Sequence, residues 1–113
     1  MKMTFFMLLN SQPVWLAKSR RERREFTEGV IAPILAAYPA VTMRYYDAEA
    51  FSGRCTDIAT FETEEAEAYS DLVEALRDTS FFSAPYYQVV DIIPAVEGGY
   101  QAYDARVGLG RDA

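Results

Sequence analysis

Two segments near the ends of the chain are apolar at both odd and even positions. Residues 3–9 read MTFFMLL, and residues 86–94 read YYQVVDIIP. Because successive side chains of a strand point to opposite faces of a sheet, strands of this composition need a covering layer on both faces. A fold that leaves one face of its sheet in water therefore does not suit this chain.

A helix is predicted between the first strand and the middle of the chain. Ser19 and Glu22 have the spacing of a capping box, in which each side chain satisfies a backbone donor at the helix start. From residue 26 to residue 38 an apolar side chain recurs every four positions and forms one stripe. Pro33 predicts a kink inside this helix, and Pro39 predicts its end, since the residue before a proline avoids the helical region.

The following segments predict a hairpin and a second helix. Residues 41–47, VTMRYYD, are β-branched and aromatic, and residues 54–62, RCTDIATFE, supply a partner strand. Thr63 is a candidate cap for the next helix, because acidic residues follow it near the positive end of the helix dipole. The predicted buried stripe of that helix comprises Ala66, Tyr69, Val73 and Leu76.

The resulting order β-α-β-β-α-β predicts an α+β fold, with a ferredoxin-like antiparallel sheet and two helices on one face. We expect a single domain over residues 1–103, because a chain of 113 residues, half of them apolar, suffices for one compact core. The glycine-rich end predicts either a short extra strand near Tyr100 to Tyr103 or a mobile tail. We assign residues 104–113 to a mobile C-terminal tail.

Two helices cover only one face of such a sheet, although its first and last strands are apolar on both. A second copy of the same sheet is the simplest cover, because stacking removes two apolar surfaces from water and most soluble oligomers are two-fold symmetric. We therefore expect an obligate homodimer.

The charge of the chain restricts its partners. Its formal net charge of −6 argues against a nucleic-acid binder and against an anionic membrane surface, since both need basic residues. The run KSRRERR at residues 18–24 is a local exception. A solvated helix face is the common meaning of such a run, and docking of an acidic partner or an anion is the alternative.

Several kinds of chemistry are absent from the sequence. The chain has no histidine and no glycine-rich phosphate loop, which excludes histidine-based nucleophilic triads and histidine-rich metal sites. We expect no metal and no organic cofactor. The single cysteine, Cys55, allows no internal disulfide and fits a reducing cytoplasm. It is either an inert core side chain or a thiolate activated by Arg54. The apolar run at residues 5–9 is shorter than the core of a signal peptide.

Asp91 interrupts the apolar run VVDII in the last predicted strand. A carboxylate buried there needs a partner or stays protonated. Arg44 and Arg54 on the middle strands are candidate partners. A structural ion pair and an active-site acid are both compatible with this pattern.

The second predicted strand separates its polar side chains onto two faces. Arg44 and Tyr46 share one face, and Tyr45 and Asp47 share the other. An arginine beside tyrosine hydroxyls can hold a carboxylate or phenolate ligand, with Asp57 of the next strand as a general base. Simple cross-strand pairing is the plainer explanation, and the unknown hairpin register leaves both open.

Trp15, in the connection after the first strand, either forms the wall of a pocket or closes the core. Further aromatic residues follow the second helix and either line a pocket or form the dimer contact. They are Phe81, Phe82, Tyr86 and Tyr87.

Three long strings resemble the darcynin family of small bacterial proteins. They are TFFMLLN at residues 4–10, YPAVTMRYYDAEAFSGRCTD at residues 38–57 and EALRDTSFFSAPYYQVVDIIPAVEGGY at residues 74–100. That family has no established activity, so the resemblance implies no catalytic residues. The deduced topology is also similar to the dimeric α+β barrel superfamily, which includes cofactor-free monooxygenases, isomerases and non-catalytic stress proteins.

Two functions remain open on this basis. The first is a cofactor-free, monooxygenase- or isomerase-like enzyme acting on a phenolic or carboxylated metabolite. The second is a non-enzymatic ligand-binding or protein-interaction module. A closed pocket of roughly 300 Å³ or more with converging polar groups favours the enzyme. The candidate residues are Asp57 and Asp91 for catalysis, and Arg44, Tyr46, Arg54 and Trp15 for ligand binding.

Overall fold

The computed structural model describes residues 1–108, and these form a four-stranded sheet with helices on one face. The order of the strands is β2-β3-β1-β4, and every neighbouring pair is antiparallel. This arrangement confirms the predicted ferredoxin-like α+β fold. The strands are β1 (Met3–Ser11), β2 (Thr42–Asp47), β3 (Asp57–Thr63) and β4 (Tyr87–Ala95).

The helices include two that the sequence indicated and several shorter ones. They are α1 (Pro13–Leu16), α2 (Arg20–Phe26), α3 (Ala32–Ala37), α4 (Ala66–Arg77), α5 (Ser80–Ser83) and α6 (Gly99–Val107). The extra strand predicted near Tyr100 to Tyr103 is wrong, because these residues belong to α6. Of the predicted tail at 104–113, residues 104–107 are helical, and residues 109–113 lie outside the described part of the chain.

The predicted capping box begins α2. Ser19 Oγ accepts a hydrogen bond from the Glu22 backbone N–H at 3.1 Å, and Glu22 Oε1 accepts from the Ser19 N–H at 2.8 Å. The helix passes Pro33 through a π-helical segment, Thr27–Ile31, and continues as α3. The wider π turn accommodates a ring that would otherwise press on the carbonyl of Gly29, four residues back. Where the sequence predicted a kink at Pro33, the structure thus has a π-helical segment inside a continuous helix.

Two details of α4 differ from the sequence prediction. Thr63 Oγ1 accepts a hydrogen bond from the Glu65 N–H at 3.0 Å, so it orders the turn before the helix, and Glu65 occupies the cap position without a side-chain bond. The most deeply buried residue of the helix is Leu72, which lies outside the predicted stripe.

The core lies between the sheet and the helices. Met7, Leu9 and Leu72 are fully buried at its centre, where odd-numbered residues of β1 and β3 face α2, α3 and α4. This surface of the sheet is called the helix face below. Phe5 stacks on Tyr69 of α4 with ring centroids 3.9 Å apart. The two-residue period of a strand thus places one set of β1 side chains in this core.

Within residues 1–108 no helical layer covers the other surface of the sheet, which is called the open face. β4 exposes most of its residues there and at its edge, and an extra residue at Val90 shifts its register against β1. The open face carries Thr4, Phe6, Leu8, Thr42, Arg44, Tyr46, Ile58, Thr60, Glu62, Asp91, Ile93 and Ala95. No helix within residues 1–108 is both long and apolar enough to cross a membrane.

Candidate functional site

The register of the β2–β3 pair decides which of the predicted site residues share a face. Tyr45 lies opposite Ala59 and Asp47 lies opposite Asp57, all on the helix face. Arg44 and Tyr46 lie opposite Thr60 and Ile58 on the open face. The predicted candidates therefore belong to two separate surfaces of the sheet.

A cavity of about 320 Å³ lies on the helix face, between the sheet and helices α1, α2 and α5. We call it the helix-side pocket. The small side chain of Ala59 at its floor leaves room for it, because larger residues flank this position on the neighbouring strands. The pocket is lined by Trp15, Phe26, Thr27, Ile31, Leu35, Met43, Tyr45, Ala59, Phe61, Leu76, Phe81 and Tyr87.

Trp15 forms part of the wall of this pocket and is buried. Its ring contacts Phe26 edge-on at 5.8 Å between centroids and lies 5.4 Å from the ring of Tyr87. Both of its predicted roles, pocket wall and core closure, are compatible with this position. The short helix α1 places it there, with Pro13 at the first helical position.

Two tyrosines from opposite edges of the sheet line the pocket. Tyr45 lies on β2 and Tyr87 on β4, and both line the cavity. Burial raises the pKa of both phenols, and the nearby phenol of Tyr87 raises the pKa of Tyr45 further. Both hydroxyls therefore remain protonated at neutral pH and are available as hydrogen-bond donors.

Asp57 lies on the same face of the sheet, outside the lining of the pocket, and is 8% exposed. Its charge raises the pKa of both tyrosines. Its Oδ2 accepts a hydrogen bond from Thr56 Oγ1 at 2.7 Å. Burial raises the pKa of its carboxyl group, the hydrogen bond from Thr56 lowers it, and the nearby carboxyl of Asp47, opposite it on β2, raises it further. Like charges directly opposite on a sheet repel each other. A carboxyl in this setting is suited to exchanging a proton with a neighbouring group.

Of these two tyrosines, the sequence reasoning missed Tyr45 as a site residue. Tyr45 shares the parity of Asp47, and Tyr87 was assigned to a cluster with two possible roles. The available signal was the strand period, because every second residue of β2 must face the same way as Asp47. The missing information was the hairpin register, since that alone joins Asp47 to Asp57.

Arg54 and Asp91 form an ion pair outside the helix-side pocket. Arg54 Nη2 lies 3.6 Å from Asp91 Oδ2, and the two side chains are 68% and 46% exposed. Asp91 Oδ1 also accepts a hydrogen bond from the Ile92 N–H at 2.8 Å. The predicted pairing is confirmed, but the predicted burial of Asp91 is wrong for the single chain, because its strand is exposed on the open face.

Arg44 and Tyr46 contribute to a second cavity, of about 370 Å³, on the open face. It extends from β2 to the residues that follow β4, and its lining comprises Thr4, Phe6, Thr42, Arg44, Tyr46, Thr60, Glu62, Ala95, Val96 and Glu97. The two predicted ligand contacts are therefore near each other, but the sheet separates them from Trp15 and Asp57.

Cys55 is buried, which agrees with a small core side chain. In the basic run, Arg21 Nε lies 3.0 Å from Glu25 Oε1, one helical turn away, on the solvated side of α2. Cys55 thus matches its interpretation as an inert core side chain, and the basic run matches its interpretation as a solvated helix face.

The family of the chain follows from comparison with known proteins. The model of the family described as darcynin, a domain of unknown function, matches residues 1–110. The chain belongs to the darcynin family. The darcynin of Chromobacterium violaceum is 56% identical over 75 residues, which cover 66% of this chain and 95% of that protein. Darcynin 1 of Acinetobacter baumannii is 43% identical over 90 residues, covering 80% of this chain and all of the relative.

A solved structure shows the same arrangement of helices and strands. A chlorite dismutase from Nitrobacter winogradskyi, described as dimeric, is 26% identical with a TM-score of 0.68. The match covers 83% of this darcynin and 57% of the chlorite dismutase, so the chain spans less than two thirds of that protein. The fold of this darcynin is thus that of the chlorite dismutase-like α+β barrel proteins.

Proposed function

We propose that this darcynin binds a small phenolic metabolite in the helix-side pocket and moves a proton on it, without a metal or an organic cofactor. The observation that carries the proposal is the polar end of an otherwise apolar cavity. There Tyr45 and Tyr87 line the cavity and influence each other's pKa, and the carboxyl of Asp57, on the same face of the sheet but outside the lining, acts on both phenols.

The lining of the pocket supports an aromatic ligand. Its walls are aromatic and aliphatic, and Trp15, Phe26 and Phe81 present rings to the cavity. A volume of about 320 Å³ lies at the lower end of the range for ligand pockets and suits a molecule with one or two rings. Aromatic pairs gain energy beyond burial alone, and a phenol adds a hydroxyl that can join the tyrosine pair.

The polar end supports proton transfer. Asp57 holds its carboxyl against Thr56, so the orientation of the acid is fixed. With its pKa raised by burial, this carboxyl can accept a proton from a substrate and return it at another atom. Tyr45 and Tyr87 would donate hydrogen bonds to the phenolic or enolic oxygen on which negative charge develops. This is isomerase-like chemistry, and uptake of O₂ would identify the monooxygenase-like alternative.

Two measurements test the proposal in sequence. Thermal shifts with phenols, aromatic acids and quinones identify ligands, because a ligand at 100 times its Kd adds about 2.7 kcal/mol of stability. NMR in D₂O then follows exchange of the carbon-bound protons of each ligand that binds. We expect exchange with the wild type, little with Asp57→Asn, and unchanged exchange with the control Asp91→Asn, which alters an acid on the opposite face of the sheet.

The outcomes separate the two functions. Binding without exchange in the wild type would support the non-enzymatic ligand-binding module. Absence of any thermal shift across the three ligand classes would count against both functions of this pocket.

We also propose that the protein is a homodimer joined through the open face. Phe6 and Ile93 lie opposite each other there and expose 37% and 44% of their surfaces in the single chain. A second sheet would remove these side chains from water. The similar chlorite dismutase is described as dimeric, which supports the proposal. We also propose that the protein is cytoplasmic, because its single cysteine, Cys55, is free and disulfides are rare in the cytoplasm.

A further inference from the structure

Helix α6 is exposed along almost its whole length. It has nine residues, none of them buried, and no side-chain hydrogen bond caps its start within residues 1–108. An isolated helix shorter than about 12–15 residues is only marginally stable in water, because helices in proteins depend on the packing of one face. The helical state of α6 therefore calls for a surface that covers it.

One side of α6 is suited to such a contact. Tyr100, Tyr103 and Val107 recur at helical spacing and form a single stripe, which we call the arm stripe. They expose 72%, 54% and 50% of their surfaces. Tyrosine is enriched at the cores of protein interfaces. The opposite side of the helix carries the small residues Ala102 and Ala105, so the arm stripe is the side that offers contact area.

The single chain exposes more surface than a monomer of its mass. Its accessible surface is 7660 Å², whereas a compact monomer of 12.8 kDa exposes about 6,300 Å². The excess of roughly 1,400 Å² is larger than the about 800 Å² that each partner buries in a standard interface. A second copy of the chain that covers both α6 and the open face thus has enough area for a stable dimer.

The order of the strands determines where α6 lies in a stacked dimer. β2 and β4 are the two edges of the sheet, and the ladders align Thr42 of β2 with Ala95 of β4 at one end. A two-fold axis parallel to the strands therefore stacks β4 of one subunit over β2 of the other. Because α6 begins four residues after Ala95, it then lies beside Thr42 of the partner subunit.

The cavity of about 370 Å³ on the open face, called the open-face cavity below, lies at this same end of the sheet. Its lining includes Thr42 and Arg44 of β2, and Val96 between β4 and α6, but no residue of α6 from the same chain. Two stacked sheets would enclose this cavity, and protein interiors contain few voids of such a size. The cavity therefore needs an occupant in the homodimer.

We infer that α6 is a dimerisation arm, whose arm stripe packs over the open-face cavity of the second subunit. The inference rests on the homodimer proposed above and adds an exchange of helices to it. By two-fold symmetry each subunit gives one arm and receives one. The tyrosine rings fill the enclosed cavity, so that Arg44 and Tyr46 contact the helix of the partner instead of a small ligand.

The alternative is a dimer whose two-fold axis runs across the strands. The two open-face cavities then lie at opposite ends of the assembly, and each α6 is far from the cavity of the other subunit. The two arrangements therefore differ in whether α6 of one chain reaches Thr42 of the other.

Cross-linking between two differently tagged chains tests the inference. One chain carries Tyr103→Cys in the arm stripe and the other carries Thr42→Cys at the open-face cavity, and a short bismaleimide joins thiols that lie close together. Cys55 is buried and so is protected from the reagent. We expect this mixed pair to cross-link. The control pair of Ala105→Cys with Thr42→Cys, which places the thiol on the opposite side of α6, should cross-link little.

Sedimentation measures what the arm stripe contributes to the dimer. We expect a variant with both Tyr100→Ser and Tyr103→Ser to raise the dimer Kd roughly tenfold or more, because tyrosines at interface centres contribute strongly to affinity. A variant with both Ala102→Ser and Ala105→Ser changes the other side of the same helix and should keep the Kd of the wild type. Circular dichroism verifies that both variants are folded.

The outcomes separate the arm from the dimer. A folded dimer in which the two cysteine pairs cross-link equally or not at all would overturn the inference and leave the homodimer standing, as would equal Kd values of the two serine variants. A wild-type chain that sediments as a monomer would contradict the homodimer itself, and the arm with it. Neither result would affect the proposal of ligand binding in the helix-side pocket.

Discussion

At the scale of single residues, the raised pKa of Asp57 makes the stability of the protein depend on pH. Its pKa is raised in the folded state, chiefly by burial, with Asp47 and Glu49 acting in the same direction. The folded protein therefore holds this proton more tightly than the unfolded chain. The resulting stability is fully present below the unfolded pKa and is lost as pH rises through the folded pKa.

Asp57→Asn removes the ionisation and retains an oxygen that can accept from Thr56. We expect the Tm of the variant relative to the wild type to increase between about pH 4 and about pH 8, because only the wild type then ionises a buried carboxyl. Thermal melts across this range measure the difference. Asp91→Asn, on an exposed ion pair, is the control. A Tm difference that stays constant or falls with rising pH would show that Asp57 is not destabilised by burial.

The sequence alone predicted Asp57 as a catalytic residue and Trp15 as a ligand contact, but it could not join them to Tyr45 and Tyr87. The alternation of side chains along a strand is a local property, so the sequence correctly assigned Arg44 and Tyr45 to opposite faces of the sheet. The pairing of Asp47 with Asp57 is not local, because a shift of one residue in the hairpin would have exchanged the faces. The prediction that Asp91 is buried was wrong. Its apolar neighbours indicated burial, but β4 is exposed on the open face of the single chain.

At the scale of elements, the start of α2 depends on the capping box of Ser19 and Glu22. We expect Ser19→Ala to lower the free energy of unfolding by about 1 kcal/mol, because the backbone N–H of Glu22 loses its partner. Urea denaturation measures this change. Ser70→Ala, at an exposed position inside α4, is the matched control and should be neutral or slightly stabilising. Equal stability of the two variants would contradict the capping role.

Local chemistry explains which elements were predictable. The capping box and the apolar stripe determine α2 and α3, and both are visible in the sequence. Helix α6 was missed because Gly98 and Gly99 resemble a loop, and Tyr100 and Tyr103 favour strands on propensity alone. Gly98 instead adopts a left-handed conformation, with φ of 62°, immediately before the helix. Such a turn favours a residue without a side chain, but it is compatible with either a helix or a strand after it.

At the scale of the whole molecule, the single chain is more extended than its length suggests. Its radius of gyration is 17.0 Å, against about 13 Å for a compact domain of this size. Helix α6 contributes to this shape, since none of its residues is buried and Tyr100 exposes 72% of its surface. An extended chain with an uncovered sheet face is consistent with the proposed homodimer.

A charge placed on the open face tests that assembly. We expect Ile93→Lys to convert the homodimer to a monomer, because a lysine would be buried without a partner in the interface. Sedimentation at micromolar concentration measures the mass. Val14→Lys changes a similarly exposed residue on the helical side and should remain dimeric. A well-folded wild-type monomer, or dissociation of both variants, would contradict the open face as the interface.

The central claim is that the helix-side pocket holds an aromatic ligand. Isothermal titration of para-hydroxyphenylacetate into Ala59→Leu tests it most directly, because the larger side chain would fill the floor of the cavity. Thr60→Leu, the neighbouring residue on the open face, is the matched control. We predict that the wild type and Thr60→Leu bind the ligand and that a folded Ala59→Leu does not. Equal binding by all three proteins would contradict the claim.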